Sequence, residues 1–165
     1  MAERAIELLD TNGDSAIDSD EVIAAPGLAV SLKLIDTNRD GNLSYEEIRK
    51  RIALHEDMGT GICGDSYTVL LNGRPLSHAR IKFEPEAFLN DAIEPASGIT
   101  DENGYVFPQT EGQSIQGIRA GFYRLKVYPD GSADDEPLSL NEEIGLEVKA
   151  FSDDGDALPV IRLRK

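Results

Sequence analysis

Apolar residues recur at helical spacing at the start of the chain and alternate with polar ones later. Residues 2–9 (AERAIELL) predict a short helix, with Ala5, Ile6, Leu8 and Leu9 apolar. Residues 20–25 predict a brief second helix, ended by the breakers Pro26 and Gly27. Residues 28–35 (LAVSLKLI) predict a third, and residues 45–56 (YEEIRKRIALHE) a longer fourth with Ile48, Ile52 and Leu54 available for a core. Residues 1–57 therefore read as helix–loop–helix twice. Met58-Gly59-Thr60-Gly61 is the best boundary, giving a linker over 58–64 and a second unit over 65–165. There the period shortens to two. Strands are predicted at Tyr67–Leu71, Ala79–Phe83, Gly98–Thr100, Tyr105–Phe107, Phe122–Tyr128, Ile144–Phe151 and Val160–Leu163, with an Asn72-Gly73 turn and a long loop from Glu84 to Ser97. Short strands at regular spacing with glycine-rich turns mean an antiparallel sandwich.

The segments between the predicted helices carry the chemistry. Two twelve-residue acidic stretches start 26 positions apart, at Asp10 and Asp36, and share the opening Asp-Thr-Asn. Each has oxygen-bearing side chains at positions 1, 3, 5 and 9, an aliphatic residue at position 8 and glutamate at position 12. A hard cation such as calcium takes 6–8 oxygen ligands in a flexible shell, and this spacing supplies them. The candidate ligands of the first loop are Asp10, Asn12, Asp14, the carbonyl of Ala16, Asp18 and Glu21. Those of the second are Asp36, Asn38, Asp40, the carbonyl of Asn42, Ser44 and Glu47. Two Ca2+ sites are expected, with Ile17 and Leu43 side by side in a short antiparallel bridge. Position 6 needs a left-handed turn. Gly41 suits it, while Ser15 in the first loop costs roughly 1 kcal/mol. Asp18 adds a ligand charge that Ser44 lacks.

Charge and composition narrow the function. The chain has 165 residues, 31 acidic and 16 basic, for a net charge of −15. That disfavours nucleic-acid or anionic-membrane binding and favours cations. The single cysteine, Cys63, excludes an intrachain disulfide, a thiolate cluster and a CxxC motif. No apolar run approaches a membrane span, and no signal-peptide pattern opens the chain. His55 and His78 are the only histidines and read as surface or turn residues. No G-x-S-x-G, H-E-x-x-H or phosphate-binding glycine loop is present. The acidic stretches 130–136 (DGSADDE) and 153–156 (DDGD) read as solvated loops.

The two loops resemble the EF-hand family, in the compact bacterial arrangement with a short linker. Their duplication is also similar to dockerins, although AERAIELL and LAVSLKLI look like helices that precede each loop. In the second unit, Asn72-Gly73-Arg74-Pro75-Leu76-Ser77-His78-Ala79-Arg80-Ile81-Lys82-Phe83, then Thr100-Asp101-Glu102-Asn103-Gly104-Tyr105, then Ala120-Gly121-Phe122-Tyr123-Arg124-Leu125-Lys126-Val127 resemble the carboxypeptidase-regulatory or transthyretin-like sandwich. Ala120 stands where that family usually has proline. The resemblance implies a multi-domain α and β chain, with an all-α EF-hand pair followed by an all-β antiparallel sandwich of the transthyretin (prealbumin) type. It implies a calcium-binding, non-enzymatic module with a structural, adhesive or protein-interaction role, whose partner is another protein or a cell-surface component. Extracellular, periplasmic or cell-surface placement follows from family habit, with the cytoplasm left open. Two alternatives stand beside it: a dockerin-like calcium-dependent docking module, and an accessory domain of a secreted hydrolase acting on polysaccharide or peptide.

Overall fold

In the computed structural model Pro26 starts a helix rather than ending one. The structure describes residues 1–56, 62–89, 92–129, 136–149 and 159–165. The boundary segment Met58–Gly61 and most of the acidic stretches at 130–136 and 153–156 lie outside these residues.

The helical half contains α1 (Ala2–Leu9), α2 (Pro26–Ala29), α3 (Leu32–Ile35) and α4 (Tyr45–Glu56). The expected helix over 20–25 is a single 3-10 turn, Val22–Ala24. Proline is well suited to the first position of a helix, where its missing N–H is not needed, and so Pro26 opens α2. The expected helix over 28–35 is split: Ser31 sits at φ −103° and ψ 2°, which separates α2 from α3. Ala5, Leu28, Ile35, Ile48 and Ile52 are buried together, whereas Leu54 is half exposed and no part of the core.

The β half begins at β3 (Ile62–Cys63), after the loop strands β1 (Ala16–Ile17) and β2 (Leu43–Ser44) of the helical half. It continues through β4 (Tyr67–Leu71), β5 (Arg74–Pro75), β6 (Arg80–Pro85), β7 (Ala96–Ile99), β8 (Tyr105–Val106), β9 (Gln109–Thr110), β10 (Ile118–Arg119), β11 (Gly121–Tyr128), β12 (Ile144–Val148) and β13 (Val160–Leu163). One sheet has the order β12-β11-β6-β7-β9; the other runs β13-β4-β5, with β8 also on β4. Most pairs are antiparallel, but β13 runs parallel to β4, a departure from the all-antiparallel expectation. The expected loop over Glu84–Ser97 is shorter than its composition suggested. Strand β6 extends to Pro85, a 3-10 turn occupies Ala87–Leu89, and β7 starts at Ala96. Alternate residues of both sheets meet in one core, among them Tyr67, Val69 and Ile161 from one and Ile81, Phe83, Tyr123, Leu125 and Val127 from the other. Cys63 is buried in the same core, and burial pushes its thiol up to about 11.

The two halves are welded along the opposite face of β11 and β12. Phe122 points away from Tyr123 and Leu125. With Phe88 and Leu89 of the 3-10 turn it completes the hydrophobic core of the helical half. The backbone of α2 lies directly on the strands. A Cβ added at Gly145 would meet the Pro26 carbonyl oxygen at 1.8 Å, and one added at Gly27 would meet the Tyr123 nitrogen at 2.6 Å. Side chains finish the contact. The Gly27 N–H donates to the buried carboxylate of Glu86 at 2.7 Å, and Arg124 donates to the Ala24 carbonyl at 2.6 Å. Glu147 on β12 lies beside Phe122 and is paired with Arg51 of α4 through two hydrogen bonds, 2.6 and 2.8 Å long. His55 Nε2 is 3.0 Å from the same carboxylate, and the Ser31 hydroxyl donates to it as well. His55 is therefore an interface residue, with its side chain 11% exposed and its ring 5.3 Å from that of Phe122.

Gly145→Ala is expected to destabilise the protein by at least about 2 kcal/mol, because backbone rather than a movable side chain occupies the space; urea denaturation measures it. Burial pushes the Glu147 carboxyl up, but hydrogen bonds from His55, Arg51 and Ser31 outweigh burial and hold it at about 2, against 4.5 ordinarily. A depressed carboxylate contributes stability above its unfolded value and loses it as pH falls through the folded one. Wild-type stability should therefore drop by up to about 3 kcal/mol more than that of Glu147→Gln between pH 5 and pH 2, read by thermal melts.

Candidate metal-binding loops

The two acidic loops are built alike, position by position. In the first, Asp10 accepts from the Gly13 and Ser15 amides at 2.7 and 2.9 Å. In the second, Asp36 accepts from Arg39 and Gly41 at 2.6 and 3.0 Å. Asn12 and Asn38 each accept from the amide two residues on, at 2.8 Å in both loops. Asp14 and Asp40 repeat the pattern at 2.9 and 2.8 Å. Such side-chain-to-backbone turns are the habit of Asp and Asn. They bend each loop back on itself.

Position 12 closes each loop. Glu21 accepts from the Thr11 and Asn12 amides at 2.7 and 3.0 Å, and from Asp18 at 3.0 Å. Glu47 accepts from Thr37, Asn38 and Ser44 at 2.9, 3.3 and 3.0 Å. One carboxylate thus ties the loop's start to its end. Positions 9 and 12 also form the reciprocal cap of a helix start. Ser44 Oγ lies 3.4 Å from the Glu47 amide, and Asp18 accepts from the Glu21 amide at 3.0 Å. Backbone hydrogen bonds, led by Asp18, hold the Glu21 carboxyl down at about 2. Burial raises that of Glu47, but the Ser44 hydroxyl and the Ser44 and Thr37 amides bring it to about 2 as well. Both glutamates are ionised at neutral pH, as a cation ligand must be.

The backbone bends as position 6 demands. Ser15 has φ 69° and Gly41 has φ 86°, both left-handed. Position 4 is left-handed too, with Gly13 at 78° and Arg39 at 64°. Ile17 faces Leu43 across an antiparallel bridge and Ala16 faces Ser44; Ile17 and Leu43 are fully buried.

All twelve expected ligands lie in these two loops. Among the described residues no three His, Cys, Asp or Glu side chains form a metal cluster by themselves. The carboxylates are thus spread along each loop rather than gathered at one point, and Asn12, Asn38, Ser44 and the Ala16 and Asn42 carbonyls make up the rest of the donor set. The set is entirely oxygen, with four carboxylates in the first loop and three in the second. It fits a hard divalent cation of the calcium type. The residues that sequence reasoning missed are Thr11 and Thr37, whose hydroxyls also donate to the closing glutamates at 2.9 and 3.1 Å. The repeated Asp-Thr-Asn opening was the available signal.

Comparison with known proteins agrees with part of this. The EF hand family model matches residues 29–53, which span α3, the second loop and most of α4. That match supports an EF hand there, with calcium as its ligand. No curated protein and no solved structure matches the chain. Among the described residues no helix is long and apolar enough to cross a membrane.

The strained position separates the loops in a measurable way. Ser15→Gly should stabilise the protein by about 1 kcal/mol and Gly41→Ala should destabilise it by a similar amount. Both are checked by urea denaturation in metal-free buffer.

Proposed function

We propose that the chain is a non-enzymatic, two-site calcium-binding module with a structural or protein-interaction role, in which an EF-hand pair (residues 1–57) is joined through residues 58–64 to a transthyretin-like β-sandwich (65–165). The observation that carries the two-site reading is the shared hydrogen-bond scaffold of the loops, bridged by Ile17 and Leu43. Asp10, Asn12, Asp14, the Ala16 carbonyl, Asp18 and Glu21 hold one ion. Asp36, Asn38, Asp40, the Asn42 carbonyl, Ser44 and Glu47 hold the other. A bound ion supplies positive charge that relieves repulsion among these carboxylates. The chain's own contribution is the pre-bent backbone and the two ionised glutamates.

A structural role is favoured over sensing. A sensor opens its helix pairs to expose an apolar, often methionine-rich groove. Here only one 3-10 turn follows the first loop, α2 is pressed against β11 and β12, and the chain has two methionines. The sandwich reading is supported by two sheets sharing one core and by the Asp101 turn, where Asp101 accepts from the Asn103 and Tyr105 amides at 2.8 and 2.9 Å. An extracellular or cell-surface setting suits ions that are held constitutively, since ambient calcium there saturates loops of low affinity.

Calorimetry on metal-stripped protein tests the function. Two calcium ions should bind with a gain in helicity. Glu21→Ala and Glu47→Ala should each remove one site or weaken it at least about tenfold, which is about 1.4 kcal/mol. Chelation should lower the melting temperature of the wild type. A titration that both substitutions leave unchanged overturns the reading.

A further inference from the structure

We infer that Glu147, on β12 and far from either loop in sequence, is a positioning residue for the second calcium site. The inference rests on the calcium reading and goes beyond it, because it gives the β half a direct part in binding the ion.

The contacts lie on either side of the second loop. The second loop begins at Asp36 and ends at Glu47. Ser31, which precedes α3 and is 2% exposed, lies five residues before Asp36. Arg51 lies four residues after Glu47, on α4. Glu147 takes hold of both: the Ser31 hydroxyl donates to one carboxylate oxygen, and the Arg51 guanidinium bridges the two oxygens at 2.6 and 2.8 Å. His55 adds a third contact at 3.0 Å, one turn further along α4. Residues four apart on a helix share a face, so Glu47, Arg51 and His55 form one row from the loop to the sheet. The Glu147 side chain is 3% exposed, so this clamp is shielded from water and salt.

One carboxylate on a rigid strand therefore fixes the segments that enter and leave the loop. The angle between α3 and α4 is set by the sheet, and with it the distance from Asp36 to Glu47. Near the first loop the β half makes other contacts, the Arg124 bond to the Ala24 carbonyl and the Gly27 bond to Glu86. Pre-organisation tightens binding by removing the cost of ordering the site. Linkage is reciprocal, so calcium in the second loop must in turn tighten the hold on β12.

The test is site-resolved calcium titration of the full chain as wild type, Glu147→Ala, Arg51→Ala and the double variant. The second loop is assigned by its loss in Glu47→Ala. The expected result is about a tenfold weaker second site in each single variant, with no further loss in the double variant and the first site within about twofold of wild type. Arg51→Lys should recover part of the loss. Both sites weakening alike, or a second site unchanged in Glu147→Ala, overturns the proposal. Should the variants melt, hydrogen exchange on the wild type decides: calcium should slow exchange at residues 144–148 as well as in the loops, and slowing confined to the loops overturns the proposal. A wild-type chain that takes up no calcium overturns the calcium reading along with this one; wild-type binding with an unaltered second site in Glu147→Ala overturns this one alone.

Discussion

The arrangement of the two halves depends on one buried carboxylate. Glu147 lies almost fully shielded on β12, where an unpaired charge would cost several kcal/mol. It stays ionised because Arg51, His55 and Ser31 surround it, and all three come from the helical half. A buried charge that finds partners in only one geometry acts as a register pin: sliding the helices along the sheet by one turn would strand it. Phe122, Phe88 and Leu89 supply nondirectional attraction across the same contact, while Glu147 supplies the direction. The glycine pair Gly27 and Gly145 lets the backbones come close enough for the charge to be reached.

The loops use similar physics on a smaller scale. Each closing glutamate is held down by amides drawn from both ends of its loop. These bonds fold each loop back on itself. The bridge between Ile17 and Leu43 buries both side chains fully and holds the two loops side by side.

Much of this was legible in sequence, for identifiable reasons. The loops were, because their template fixes chemistry at set positions and appears twice. Strands β4, β11 and β13 were, because alternation survives wherever one face meets a core. The helices around Pro26 differ from the expected ones because proline can start a helix as well as stop one. The stretch from Glu84 to Ser97 looked like a loop because its apolar residues, Phe88 and Leu89, serve the helical half rather than the strand pattern around them. Glu147 was unreadable. One acidic residue among 31 carries no mark of burial, and its partners lie 92 to 116 residues away. His55 reads as a surface or turn residue in sequence on the same ground: a charge partner distant in sequence leaves no local pattern.

The weld between the halves bears on what calcium can accomplish. A ligand shifts a conformational equilibrium only by its difference in affinity for the two states. Opening the second helix–loop–helix here means breaking a shielded bidentate ion pair and lifting Phe122 from its core, so the open state lies far above the closed one. Binding energy then has one outlet, the stability of the folded form, which rises as RT ln(1 + [Ca2+]/Kd), about 2.7 kcal/mol at a hundredfold excess over Kd. On the proposed structural reading, a sheet that holds the helices shut suits the loops to bracing rather than to sensing. On that reading the ion stiffens a joint whose angle is set by the contacts of Glu147 with Ser31, Arg51 and His55.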